Sequence, residues 1–174
     1  ANPPGRDYSL FDARQAARQA ADVVRGERYE SGAIVGGKLA AGAARQPVVS
    51  PVDHAVVVGT VGTATQADID AAVALGRKAQ PGWDAKGGAG RARVLRAMGD
   101  ALETAMDELI ALLSAEAGKT LNDGVAEVRE AVDFCRYYAH LAERQFVGLE
   151  TLTGPVGETN QLELGGRGVF VCIS

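Results

Sequence analysis

The sequence predicts an α/β fold in which small residues provide much of the packing. Three observations support this class: apolar stripes at helical spacing, β-branched residues concentrated between positions 48 and 61, and a continuous apolar run at 169–173. Alanine and the 22 glycines supply much of the apolar content, whereas aromatic residues make up only 5%. We therefore expect secondary-structure elements that approach one another closely.

Composition excludes several classes of function. The net charge of −4 is spread along the 174 residues without a basic block, so nothing predicts nucleic-acid binding. No apolar stretch approaches the roughly 20 residues of a membrane span, and no signal peptide opens the chain. Cys135 and Cys172 form no CxxC pair, and His54 and His140 are too few to predict a metal site. We expect a cytoplasmic protein without metal.

Residues 1–47 are expected to form a linker or arm that contains one helix. Asn2–Gly5 is rich in helix-breaking residues, and a helix is predicted from about Leu10 to Arg25. Residues 27–46 are rich in glycine and alanine and predict irregular structure with a short strand at 33–35. The main structural segment is then expected to cover residues 48–174.

The central part of the chain predicts two strands followed by helices. The strands flank a turn at Pro51–His54. Thr65 is expected to cap a helix that runs to Ala79 and ends at Pro81–Trp83. A long helix is predicted over 90–117, where Gly99 could bend it and the following glycine stops it.

The clearest helix signal lies between Leu121 and Gln145. Apolar residues recur there in a sustained pattern of four and three residues, and a second partial stripe predicts a helix covered on more than one side. The run Val169–Ile173 predicts a strand buried on both faces of a parallel sheet. Ligands bind beyond the carboxyl ends of such strands, so a site is expected just after this one.

Motifs for phosphate binding and nucleophilic catalysis are weak. Gly118-Lys119-Thr120 lacks the earlier glycine of a phosphate loop, and Gly166-Arg167-Gly168 lacks the third glycine of a dinucleotide fingerprint. Cys135 lies on the apolar stripe of its helix and is expected to be a core residue. Cys172 lies in the predicted buried strand, where a catalytic thiolate would be poorly solvated. We therefore expect no catalytic residue in this segment.

Glu130 is the carboxylate that periodicity singles out. It lies one helical turn before Phe134, beside the second apolar stripe, where a partly buried carboxylate would need a partner. Alternatively, it belongs to a solvated face on which Arg129 and Asp133 form an i, i+4 ion pair. The pattern by itself favours the solvated face.

Several motifs together resemble those of aldehyde dehydrogenases, and specifically the aldehyde dehydrogenase domain of the proline utilisation A family. The resemblance covers roughly residues 48–174. The motifs are Ser50-Pro51-Val52-Asp53, Val58-Gly59-Thr60-Val61, Ile69-Asp70-Ala71-Ala72-Val73, Glu116-Ala117-Gly118-Lys119-Thr120, the run from Ala126 to Ala139, Gly154-Pro155-Val156-Gly157-Glu158-Thr159-Asn160 and Gly166 to Ser174.

The resemblance implies part of a Rossmann-like NAD-binding domain that is incomplete in this chain. It also implies an enzyme that oxidises L-glutamate γ-semialdehyde, the open form of pyrroline-5-carboxylate, to L-glutamate with NAD in proline catabolism. FAD is implied only for an upstream proline dehydrogenase domain of the same bifunctional protein. The expected partners are the small aldehyde substrate and NAD, and the full protein is expected to be a homo-oligomer.

Few site residues carry over from the family. Ile173 and Ser174 match the end of a strand that approaches NAD, and Glu130 matches a helix glutamate near the substrate aldehyde. The catalytic cysteine and general base of the family are expected beyond Ser174. Two alternatives stay open: a truncated, non-catalytic structural or docking module, and a helical binding module, which a buried strand at 169–173 would disfavour.

Overall fold

A computed structural model describes residues 2–173 of the chain. The described residues contain five α-helices and seven short strands. The helices are α1 (Phe11–Gly26), α2 (Gln66–Asp84), α3 (Gly87–Thr104), α4 (Met106–Ala117) and α5 (Leu121–Gln145). The strands are β1 (Tyr29–Ser31), β2 (Ile34–Val35), β3 (Lys38–Leu39), β4 (Arg45–Val49), β5 (Val57–Gly62), β6 (Glu150–Leu152) and β7 (Asn160–Leu162).

The largest sheet is small and mixed, with strand order β1-β5-β4. β5 pairs with β1 in parallel and with β4 in antiparallel orientation, with an irregularity between Val48 and Val49. The predicted strand, turn and strand around Pro51–His54 are confirmed as β4 and β5, because Val56 N donates to Asp53 O and closes the turn at 2.9 Å. β2 with β3 and β6 with β7 form separate two-stranded hairpins.

Helix α2 begins as the sequence predicts and ends later. Thr65 Oγ1 accepts from Asp68 N at 3.1 Å, and Asp68 Oδ2 accepts from Thr65 N at 2.8 Å, which completes a capping box. The bonds that Asp68 Oδ2 accepts from Thr65 N and Thr65 Oγ1 hold the pKa of this carboxyl below its usual value. The predicted end at Pro81 is wrong, because the proline lacks only its own N–H and Ala85 N closes the last turn on Pro81 O at 3.0 Å.

The single helix predicted over 90–117 is instead two helices. The helix is interrupted at Ala105, between α3 and α4, and not at Gly99. The break lets α3 lie along α5, while Met106 and Ile110 of α4 turn into a core cluster with Val125 and Val128 of α5. Local periodicity does not show this break, because both halves carry apolar stripes. The predicted stop at residue 118 is confirmed by a left-handed glycine there.

Helix α5 confirms the clearest sequence signal, with the predicted bounds. Its main stripe is buried at Val125, Val128, Val132 and Ala139. Thr120 caps the helix at its amino terminus, because its hydroxyl accepts from Asp123 N at 3.2 Å. The second stripe is different, because its aromatic members are exposed within the described residues.

The expected dependence on small residues is confirmed where α3 meets α5. A Cβ atom on Gly99 would lie 3.3 Å from the Cβ of Cys135, and fully buried Ala92 lies on the same helix. At the outer edge of this contact, Arg96 forms a bidentate ion pair with Glu143, with N···O distances of 2.6 and 2.8 Å. The two helices are thus joined by close backbone approach inside and by opposite charge outside.

The amino-terminal arm is packed against the helices. Pro3 is buried, and its carbonyl accepts from Arg129 Nε of α5 at 3.1 Å. Arg6 pairs with Asp107 of α4 at 2.7 Å, and Tyr8 packs against the core cluster. The predicted helix of the arm is confirmed as α1, and the short strand at 33–35 as β2. The boundary between an arm at 1–47 and a segment at 48–174 stays a prediction.

The predicted interior strand at 169–173 is wrong for this structure. Residues 169–173 form no strand and are exposed, with Val171 at 82% and Ile173 at 94%. A parallel strand requires neighbouring strands to bond its N–H and C=O groups, and none lies beside this segment among residues 2–173. The apolar sequence is compatible with burial, but burial requires a partner surface that these residues do not provide.

Candidate functional site

Helix α5 presents Glu130 on an exposed aromatic face. Phe134, Tyr137 and Tyr138 follow at one and two helical turns and are each about half exposed, at 51%, 56% and 53%. The rings of Phe134 and Tyr138 stack with centroids 6.1 Å apart, and Tyr137 meets Tyr138 edge-on at 5.3 Å. Since the opposite stripe of α5 is buried, this face is free to meet a ligand or further polypeptide.

Glu130 is exposed, as the solvated-face interpretation predicts. Within residues 2–173 its carboxylate makes no hydrogen bond or ion pair. The predicted ion pair between Arg129 and Asp133 is not formed, because Arg129 Nε donates to the carbonyl of Pro3. Glu127, one turn earlier, is different: Lys119 Nζ lies 2.5 Å from its carboxylate.

The arm borders the aromatic face. An open cavity of about 540 Å³ lies between the arm and α5 and is lined by Asn2, Asp133, Phe134, Arg136 and Tyr137. Arg136 also pairs with Asp100 and Glu103 of α3, which holds its guanidinium at the edge of the cavity. The cavity therefore combines aromatic surface with both signs of charge.

The carboxy-terminal segment is attached to α2 through Gly166. Gly166 N donates to Asp84 Oδ1 at 2.9 Å, and Gln80 Nε2 donates to Gly166 O at 3.2 Å. Arg91 NH1 also donates to Asp84 Oδ1 at 2.9 Å, and the Arg91 guanidinium lies 4.5 Å from the centre of the Phe146 ring. Sequence reasoning missed this cluster, although the spacing of four places Gln80 and Asp84 on one face of α2.

The predicted site residues lie in separate segments, with Glu130 on α5 and Ile173 in the segment that follows β7. Ile173 is almost fully exposed, and Ser174 lies outside the described residues. No hydrogen bond or ion pair joins Glu130 to residues 163–173 in the described chain. The common site of Glu130, Ile173 and Ser174 that the resemblance implies stays a prediction.

The two cysteines differ in how far they are buried. Cys135 is half-buried against α3, as expected of a packing residue. Cys172 is exposed, so its predicted burial is wrong, for the same reason as for the strand that was expected to contain it. Residues 2–173 contain no group of three metal-binding side chains, and none of the helices described is long and apolar enough to span a membrane.

The helices and short strands of residues 2–173 form a mixed α/β segment. The aldehyde dehydrogenase family model matches residues 39–174, which is more than half of the chain. The chain belongs to the aldehyde dehydrogenase family.

Two similar proteins are a bifunctional PutA protein and a 1-pyrroline-5-carboxylate dehydrogenase. The bifunctional protein PutA of Escherichia coli K12 is 41% identical over 93 residues, which are 53% of this chain and 7% of that protein. The 1-pyrroline-5-carboxylate dehydrogenase 2 of Bacillus subtilis is 32% identical over 172 residues, which are 97% of this chain and 28% of that protein.

Solved structures agree with these relatives. A 1-pyrroline-5-carboxylate dehydrogenase from Thermus with bound NAD aligns with a TM-score of 0.82 and 30% identity, over 89% of this chain and 30% of that one. Proline utilisation A from Bdellovibrio bacteriovorus aligns with a TM-score of 0.88 over 96% of this chain and 17% of that one. At 22% identity this second likeness shows the fold alone. The chain thus spans less than a third of these matched proteins.

Proposed function

We propose that this chain is part of an NAD-dependent L-glutamate γ-semialdehyde dehydrogenase, which produces L-glutamate in proline catabolism. The observation that carries the proposal is the 32% identity with the Bacillus dehydrogenase along almost the whole chain. The PutA relatives support a bifunctional arrangement in which a separate, upstream proline dehydrogenase domain holds FAD. These roles belong to the complete protein, because this chain matches only a part of each relative.

NAD is proposed as the cofactor, with Ile173 and Ser174 at its site. The likeness to a Thermus enzyme with bound NAD supports this assignment. The residues fit the group in their chemistry: positions 167–173 contain one arginine and no carboxylate, so nothing in them repels a pyrophosphate. The exposed Ile173 side chain offers apolar surface of the kind that planar rings cover. When bound, NAD supplies the hydride acceptor for aldehyde oxidation.

Glu130 is proposed as a residue of the substrate site. Its carboxylate is exposed, makes no ion pair in the described chain, and stands one turn before Phe134. An unpaired carboxylate beside aromatic surface can contact a polar small molecule without first breaking an internal salt bridge. Asp133 and Arg136, which line the neighbouring cavity, add charges of both signs around it.

The attacking thiolate is proposed to come from a residue outside positions 1–174. Cys135 is half-buried and packs against α3 at Gly99, as a packing residue does. Cys172 is exposed, but within residues 2–173 no hydrogen bond ties it to a base that could activate it. Both cysteines are free thiols, which supports a reducing cytoplasm as the location. The full protein is proposed to be a homo-oligomer.

The full gene product tests this function directly. Purified protein is incubated with NAD and either L-glutamate γ-semialdehyde or unsubstituted short aldehydes, and both NADH and glutamate are measured. We expect kcat/KM for the semialdehyde to exceed that for the other aldehydes by at least about a hundredfold, since its charged groups add contacts that a site can bond. Equal use of all aldehydes, or no NADH, would contradict the assignment.

A further inference from the structure

We propose that Asp84 is a positioning residue that fixes the path of residues 165–173 against helix α2. This inference rests on the proposed function, because residues 169–173 lead to the positions proposed to meet NAD. Asp84 touches neither substrate nor cofactor in this scheme. It acts through the backbone of Gly166, and so determines where the apolar segment after Gly168 begins.

The geometry at Asp84 is that of a two-sided clamp. A single carboxylate oxygen, Oδ1, accepts from both Gly166 N and Arg91 NH1, each at 2.9 Å. Arg91 NH1 also donates to the backbone carbonyl of Asp84 at 3.1 Å. A hydrogen bond to a charged group is worth more than a neutral one, so the carboxylate holds the glycine N–H more strongly than a water would.

Arg91 is itself held in place, which makes the clamp rigid. Its side chain is only 12% exposed, and its guanidinium lies over the ring of Phe146, which follows α5. Phe146 is tied to α3, since its carbonyl accepts from Gly88 N at 3.3 Å. The clamp therefore fixes the position of Gly166 relative to three helices: α2 through Asp84, α3 through Arg91 and α5 through Phe146.

Close contacts at Gly166 and Gly76 also hold the carboxy-terminal segment against the surface of α2. A Cβ on Gly166 would lie 2.8 Å from Asp84 Oδ1 and 2.8 Å from Gln80 Nε2. Further along, a Cβ on Gly76 would lie 3.0 Å from Val169 Cγ2. Residues 166 and 169 thus approach α2 at positions two helical turns apart, and the segment follows the helix surface although it belongs to no sheet here.

Limited proteolysis tests whether Asp84 holds Gly166 in place, and its result does not depend on enzyme activity. Trypsin cleaves after Arg167, one residue beyond the clamped glycine, and cleavage after the exposed Arg28, in the loop between α1 and β1, is the internal reference. In the full gene product we expect Asp84→Ala to raise cleavage after Arg167 by about fivefold or more relative to Arg28, because opening frees the backbone. Asp70→Ala, on the same helix and away from the segment, should leave the ratio unchanged.

Cofactor measurements separate positioning from general damage. We expect Asp84→Ala to raise the NAD dissociation constant and the KM for NAD by about fivefold to tenfold, with kcat changed less than about twofold. Asp84→Asn keeps an oxygen that accepts from Gly166 N and should recover most of both effects. A merely structural role would lower the amount of active enzyme and kcat, without this split or this rescue.

Each outcome decides one of the two proposals. Parental cleavage after Arg167 in Asp84→Ala would overturn the clamp, whether or not the enzyme oxidises aldehydes. Faster cleavage with an unchanged NAD dissociation constant would overturn the positioning role. Loss of NAD binding by the parent protein itself would overturn the proposed function, while the cleavage ratio would still decide whether Asp84 holds the segment.

Discussion

Gly88 of α3 lies directly beneath the backbone carbonyl of Ala142 in α5. A Cβ atom on Gly88 would overlap that carbonyl oxygen and also approach the carbonyl of Phe146, to which Gly88 N donates. The two helices thus meet backbone to backbone at this end. This contact joins the start of α3 to the end of α5, the helix that carries Glu130 and its aromatic neighbours.

Gly88→Ala is therefore expected to destabilise the protein. The obstructing atom is backbone oxygen, which cannot move aside alone, so we expect a loss of about 3 kcal/mol or more, at the upper end for overpacking. Gly82→Ala in α2 is the matched control: nothing lies within 4 Å of its Cβ, and a helical alanine should gain up to about 1 kcal/mol. Hydrogen exchange of the α5 amides measures both, and equal effects would contradict the backbone contact.

Glu130→Ala is expected to impair semialdehyde oxidation without loss of stability. We expect kcat/KM to fall by about tenfold or more, since a charged contact to substrate is lost, while the melting temperature stays within the experimental error. Glu127→Ala is the control on the same helix, because that carboxylate is already bound by Lys119. Unchanged kinetics in Glu130→Ala would return this residue to a solvated surface.

The Arg96–Glu143 pair predicts a stability difference that depends on pH. The hydrogen bond from Arg96 holds the pKa of Glu143 below its usual 4.5, so the pair stabilises the fold above that pH and its contribution is lost as pH falls through the lowered value. Glu143→Gln should therefore lower the melting temperature near neutral pH, and the difference should vanish in acid. The control is Glu116→Gln, whose carboxylate makes no ion pair among the described residues; a pH-independent effect of Glu143→Gln would contradict the assignment.

Tyr8 tests whether the arm is part of the folded unit. It packs against the Met106 and Ile110 cluster, and burial raises the pKa of its hydroxyl. Tyr8→Ala should cost about 1–3 kcal/mol, because folding of the variant no longer buries the apolar surface of the ring. Phe11→Ala, where 67% of the side chain is already exposed, should cost little. An unchanged stability in Tyr8→Ala would contradict the packing of the arm against the core cluster.

Local sequence signals predicted the helices well and their connections less well. Thr65 predicted a helix start and the glycine at 118 predicted a stop, because a cap depends on neighbours a few residues away. Ala105 carries no such signal. The break there depends on Met106 and Ile110 reaching a core that α5 completes from the other side.

The candidate site, too, could be predicted from the sequence only in part. Periodicity placed Glu130 on α5 and left open whether it is buried; the structure shows it exposed. Resemblance drew attention to Ile173, but only the fold showed that its segment is attached through Gly166 to Asp84, which also accepts from Arg91. Gly166 lies 82 residues beyond Asp84, and no short-range pattern connects them.

The sequence by itself determined the helix α5, the turn between β4 and β5, and membership in a family whose motifs stand along the chain. Only the tertiary structure decided where residues 90–117 divide into two helices, which glycines allow two helix backbones to touch, and whether residues 169–173 are buried. The reason is physical: caps and apolar periodicity act over a few residues, whereas burial depends on which surface another part of the polypeptide supplies.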